Sequence, residues 1–187
     1  MILQALARYY QRLFDRNTEG VPPYGYSLEK INYEIVLSQS GNVIAVNPLG
    51  NTNGKKMSQL MLTVPASFKR PGTGSKAFFL WDKASYVLGV GKDGRRALQD
   101  HEAFKALHQR VLAGEEDEGL VALLAFLKRW SPEQFRTPQF PTEMVDANVV
   151  FRFDNEYRHL HERPAAREIY RRLLEASNNE LLQGVCL

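Results

Sequence analysis

The sequence predicts an α+β fold, with a small antiparallel sheet drawn from the first half of the chain and helices drawn mainly from the second. Three observations carry this expectation. Runs rich in β-branched and aromatic residues, separated by turn residues, lie between residues 31 and 81. Apolar residues at helical spacing dominate after residue 100. A chain of 187 residues, 44% hydrophobic and 24% charged, can bury one sizeable core.

Residues 2–15 put Ile2, Leu6, Tyr9 and Leu13, with Leu3, Tyr10 and Phe14 beside them, on a broad apolar helix face. Asn17 to Gly20 end that helix, and the paired prolines of Val21 to Tyr26 read as a rigid connector. Ile31 to Leu37 alternates, Ser40-Gly41-Asn42 signals a turn, and Val43 to Val46 follows, so residues 31–47 read as a hairpin. Pro48 to Lys56 is a loop, Leu60 to Val64 a third strand, and Phe68 to Lys76 a second glycine-bearing basic loop. Ala77 to Trp81 reads as a strand, with Asp82 as the N-cap of a short helix through Leu88. Asp93-Gly94-Arg95-Arg96 reads as a turn.

Asp100 then caps a helix over 101–113, with His101 and His108 as helix-surface histidines. An acidic turn, Glu115 to Glu118, heads a helix reaching Trp130, and Pro132 at N1 starts a short helical turn. Asn148 to Phe153 reads as a strand, and Pro164 opens a last helix through Leu174. Leu181 to Leu187 is apolar and reads as the start of a strand. The expected organisation is one N-terminal domain of a longer protein over 1–187, β-rich over about 20–95 and mainly helical over about 96–187.

Charge is distributed unevenly. Residues 1–34 carry four basic and four acidic side chains, and residues 82–187 carry fifteen and seventeen. Between them, residues 35–81 hold Lys55, Lys56, Lys69, Arg70 and Lys76 and no Asp or Glu. A surface that faces phosphates gains nothing from carboxylates, which would repel them. No apolar run approaches the ~18 residues that a bilayer span requires. The first residues lack the basic and apolar regions of a signal peptide. Cys186 is the single cysteine, which excludes an internal disulfide and any multi-cysteine zinc site and agrees with a cytoplasmic setting.

Catalytic patterns are weak. Gly50 to Lys56 has three residues between its glycines where a phosphate-binding P-loop has four, and no Ser or Thr follows the lysine. Gly89-Val90-Gly91-Lys92-Asp93-Gly94 matches G-x-G-x-x-G, but a short helix rather than a strand is expected before it. Asp154, Glu156, His159 and His161 could suggest a metal-dependent nuclease, although the bland reading is a solvated connector. No catalytic residue, metal ligand or cofactor is therefore assigned. The two basic loops offer better chemistry: Lys55, Lys56, Lys69, Arg70 and Lys76 for phosphates, Asn51, Asn53, Thr73 and Ser75 for base edges or sugars, and Gly74 for close backbone approach.

Several motifs together resemble one known family. They are Pro22-Pro23-Tyr24-Gly25-Tyr26-Ser27, Lys69-Arg70 with its glycine-bearing loop, Phe79-Leu80-Trp81-Asp82-Lys83 and Tyr86-Val87-Leu88-Gly89, with Met1 to Leu6 and Tyr9-Tyr10 at the start. The combination resembles the large subunit of the type I-C CRISPR Cascade complex, in its N-terminal portion. The resemblance implies a non-catalytic protein that recognises the PAM, binds target double-stranded DNA and sits among guide-RNA-bearing subunits. A separate, recruited helicase–nuclease would cut the DNA, and the guide RNA would read the long sequence. The alternative is a protein-interaction module whose loops meet guide RNA or neighbouring subunits.

Overall fold

The computed structural model describes residues 2–15, 21–50, 60–70, 74–136 and 138–184. Its strands are β1 (Tyr26–Ile31), β2 (Tyr33–Leu37), β3 (Val43–Pro48), β4 (Leu60–Pro65), β5 (Trp81–Lys83) and β6 (Asn148–Phe153). Its helices are α1 (Ile2–Asp15), α2 (Ala84–Leu88), α3 (Gly94–Val111), α4 (Glu118–Arg129) and α5 (Pro164–Gly184). The α+β expectation holds, with the strands mainly in the first half and the long helices mainly in the second.

Two sheets form. One is an antiparallel ribbon of β1 with β4, and the other has four strands in the order β3-β2-β6-β5. The expected hairpin is there as β2 with β3, closed by Ser38 and Asn42. Gly41 in its turn has a φ of +75°, and an added Cβ would stand 2.5 Å from the Ala122 carbonyl oxygen, so the turn packs directly on α4. The sheet is not wholly antiparallel: β2 pairs in parallel with β6, more than a hundred residues later. No local signal could report that pairing, because the connection between the two strands contains most of the chain.

Alternation along the strands divides the interior into two layers. Tyr33, Ile35 and Leu37 of β2, with Val149, Phe151 and Phe153 of β6, face the main core, where Phe104 of α3, Leu123 and Phe126 of α4, and Ile169 and Tyr170 of α5 cover them. On the opposite face Val150, Trp81 and Phe78 meet Ile31 and Val64 of the ribbon in a second, smaller core. β2 is buried along its whole length because β3 and β6 flank it and both of its faces are covered.

Several local expectations are corrected. β1 starts at the last residue of the expected connector, Tyr26, and ends at Ile31, where the hairpin was expected to begin; no local signal marks it, because its partner β4 lies beyond β3 and the first basic loop. The strand expected at 77–81 begins only at Trp81 and is three residues long. Leu80, at a φ of +62°, breaks the extended run before it. Asp82 is not an N-cap. It lies within β5 with its side chain fully buried, and Lys83 holds the cap position without a side-chain bond. α3 starts at Gly94, not at residue 101, because Asp93 accepts from the Arg96 N–H and caps it, so the expected turn at 93–96 is its first turn. His101 and His108 are buried, not on the helix surface. Where a strand was expected from Leu181, α5 continues to Gly184.

Candidate nucleic-acid interface

The sequence-expected contact residues lie on the two loops that flank β4. Asn51, Asn53, Lys55, Lys56 and Thr73 fall outside the described residues. The other five, Lys69, Arg70, Gly74, Ser75 and Lys76, stand at the feet of the loop between β4 and β5. Their positions follow from two buried carboxylates that anchor those feet.

The first anchor is Asp82. The Arg70 guanidinium donates to both of its carboxylate oxygens, at 2.5 and 2.6 Å, and its Nε donates to the Lys76 carbonyl oxygen at 2.7 Å. The same guanidinium lies 3.9 Å from the ring centres of both Phe78 and Tyr86. Backbone N–H groups of Phe78 and Lys83 complete the Asp82 carboxylate at 2.8 and 2.7 Å. Burial lifts the Asp82 carboxyl to about 6, against the pull of Arg70 and these N–H groups, so it is ionised at neutral pH. Arg70 thus joins the two feet of the loop to each other and to the sheet.

The second anchor is Asp100 of α3. It accepts from Ser75 Oγ at 2.7 Å and from Ser85 Oγ at 3.2 Å, and pairs with Arg96 Nε at 3.2 Å. Arg96 also donates to the Gly74 carbonyl oxygen at 3.2 Å. The loop enters β5 through a third fixture: the Leu80 N–H donates to Nε2 of His108 at 2.9 Å, while His108 Nδ1 lies 2.8 Å from the Phe104 carbonyl oxygen. Burial holds His108 down to about 4, so its ring is neutral and can accept.

Lys69 and Lys76 are the exposed cations of the set, and neither has an ion-pair partner among the described residues. Lys83 and Arg95 are exposed on the adjoining elements. Between this loop, α3 and α5 runs an apolar groove of about 670 Å³, lined by Phe68, Ala77, Phe79, Leu107 and Leu173, with Lys76 and Arg110 at its edge. Asp82 and Asp100 were legible only as helix caps, since an acid followed by an apolar run has the same local pattern in either role.

The segment from Asp154 to His161 is not a solvated connector throughout. His161 is buried, and its Nε2 lies 3.2 Å from the Thr63 carbonyl oxygen. His159 stands 3.4 Å from both Glu34 and Glu162, and its ring lies parallel to that of His161 with centres 5.5 Å apart. Burial opposes charge on His159, but the two carboxylates outweigh it and lift the imidazole to about 9. Burial likewise opposes ionisation of Glu34, yet bonds from His159, Arg152 and Asn47 hold it down to about 2. Glu156 is committed to Arg163 at 2.6 Å, and Asp154 accepts from the neighbouring Asn155. Asp154 and Glu156 are therefore engaged apart from the two histidines, which stand side by side.

Comparison with known proteins adds one match. The family model described as CRISPR-associated protein (Cas_Csd1) matches residues 6–187. No curated protein matches the chain.

Proposed function

The chain belongs to the Cas_Csd1 family of CRISPR-associated proteins, and on that premise we propose that it recognises the PAM and binds target duplex DNA as part of a type I-C Cascade large subunit. The role is non-catalytic, with cleavage left to a recruited helicase–nuclease. Guide-RNA-bearing subunits are its neighbours. The observation that carries this reading is the pair of exposed ammonium groups, Lys69 and Lys76, which have no ion-pair partner among the described residues and stand at loop feet fixed by Arg70–Asp82 and Ser75–Asp100. Backbone already anchored at these feet loses little freedom on docking, so the two cations can meet phosphates at low entropic cost. Lys55, Lys56, Asn51, Asn53 and Thr73 join the proposal on chemistry alone. Arg70 belongs to it as the residue that positions the loop.

Among the described residues no helix is long and apolar enough to cross a membrane. The test is duplex binding by the assembled complex over a range of salt. Converting Lys69 and Lys76 to glutamate together should weaken binding at least about tenfold and flatten the log K against log salt slope by about 2. An unchanged affinity and slope would remove this loop from the interface.

A second reading is favoured by the apolar groove beside the loop: it could seat a neighbouring subunit, which makes the module a protein-interaction surface. Leu107→Glu, in the groove wall, would then block assembly while the lysine changes leave assembly intact.

A further inference from the structure

The geometry points to a divalent metal site, with zinc as its ion, formed by His159, His161 and Glu162 where the chain turns from β6 into α5. It is separate from the basic loop and does not depend on the DNA-binding reading. One donor atom from each of the three residues lies within 4.8 Å of the other two. Donors around a tetrahedral zinc at 2.0–2.1 Å stand about 3.3 Å apart, so binding draws these together by about 1.5 Å at most.

Each donor is already oriented by a second contact. His161 is only 3% exposed. Its Nε2 faces the Thr63 carbonyl oxygen at 3.2 Å, which puts the proton on that nitrogen. Nδ1 then carries the lone pair, and it is buried with no hydrogen-bond partner. An acceptor left unmet inside the protein is costly, and a cation removes that cost. His159 places Nε2 3.4 Å from Glu34 Oε2, an ion-pair contact without a hydrogen bond, and Nδ1 3.4 Å from Glu162 Oε2. Glu34 is held in turn by Arg152 at 3.1 Å and Asn47 at 2.8 Å. A carboxylate standing near one imidazole, and a backbone carbonyl on the other, are the kinds of outer partner that metal-binding imidazoles use. Glu162 is fixed through one oxygen, which accepts from the His159 N–H at 2.7 Å, and its Oε1 has no hydrogen bond among the described residues.

Charge and access agree. Glu34 and Glu162 contribute two negative charges, and Arg152 offsets one of them. The Glu162 side chain is 39% exposed, which opens a path from solvent. Two imidazoles and a carboxylate suit zinc, whereas magnesium and calcium favour oxygen alone. A metal here would tie Thr63 of the ribbon and Glu34 of the sheet to the start of α5.

The experiment uses the full, tag-free chain freed of metal with a chelator and titrated with Zn²⁺, then Co²⁺. The expected result is one ion per chain, a visible Co²⁺ band typical of four-coordination, and a melting temperature raised by about 2–4 °C at saturating zinc. Glu162→Gln lies at the surface and should fold; it should weaken zinc at least about tenfold and lose the cobalt band. Glu34→Gln should weaken zinc about 10–100-fold while keeping the band. Failure to take up stoichiometric metal would overturn the site, as would uptake that Glu162→Gln leaves unchanged.

Discussion

Replacing Arg70 by alanine tests the latch that shapes the basic loop. The change removes two bonds to Asp82, at 2.5 and 2.6 Å, one bond to the Lys76 carbonyl oxygen, and two ring contacts at 3.9 Å. Asp82 is 0% exposed, so its carboxylate cannot recover solvation. Removing one partner of a buried pair costs about 3–5 kcal/mol. The two ring contacts are worth about 0.5–2 kcal/mol each. Against this, the Phe78 and Lys83 N–H groups still serve the carboxylate, and protonation of Asp82 offers an escape. A net loss of about 3–5 kcal/mol at pH 8 is expected.

The same change carries a pH signature. The folded Asp82 carboxyl titrates near 6, above its ordinary 3.8, so between about 4 and 6 the folded chain holds a proton that the unfolded chain has released. Its contribution to stability is therefore fullest below that window and declines as pH rises through it. Without Arg70 the folded value rises further, and the decline extends to higher pH. Arg70→Ala should accordingly cost much less at pH 5, where Asp82 is mostly protonated in either protein, than at pH 8. Urea unfolding at the two pH values measures both quantities. A loss below about 1 kcal/mol at pH 8, or equal losses at both, would refute the reasoning.

Three further outcomes are expected. His108 is fully buried and held at about 4, below its ordinary 6.5, so its contribution is present above about 6.5 and is lost as pH falls toward 4; His108→Leu should remove that acid sensitivity in pH-dependent unfolding while costing about 1–3 kcal/mol for the unmet Leu80 N–H. Gly41→Ala places a Cβ 2.5 Å from the Ala122 carbonyl oxygen at a φ of +75°, and should cost about 1–3 kcal/mol in chemical denaturation. Asp117→Ala removes both the N-cap of α4 and the partner of Arg163 at 2.7 Å, so its loss should exceed the ~1 kcal/mol of a cap alone and should shrink when Arg163 is replaced as well, in a double-mutant cycle.

Much of the fold was legible in the sequence because it rests on near-neighbour physics. Alternation marked the β2–β3 hairpin, a β-rich run marked β6, helical spacing marked α1, an acidic first turn marked α4 and Pro164 marked the start of α5. The same local reading misplaced the start of α3 and took Asp82 and Asp100 for caps. An acidic residue before an apolar run carries one local pattern whether it meets an N–H of its own helix or a distant cation.

The basic loop shows where the two kinds of information part. Composition alone established that residues 35–81 contain five basic side chains and no acid, so any neutralising carboxylate had to come from elsewhere in the chain. Only the tertiary structure decided which cations find one. Asp82 arrives on β5 and engages Arg70, while Lys69 and Lys76 stay exposed; Asp100 of α3 meets the segment only through Ser75 and takes its cation, Arg96, from its own helix. The gathering of Glu34 with His159, His161 and Glu162 was equally invisible, because it depends on the parallel pairing of β2 with β6. The physical reason is common to both. A side chain's chemical type is a property of the sequence, but its partner is chosen by long-range packing, and burial then sets how strongly the two interact.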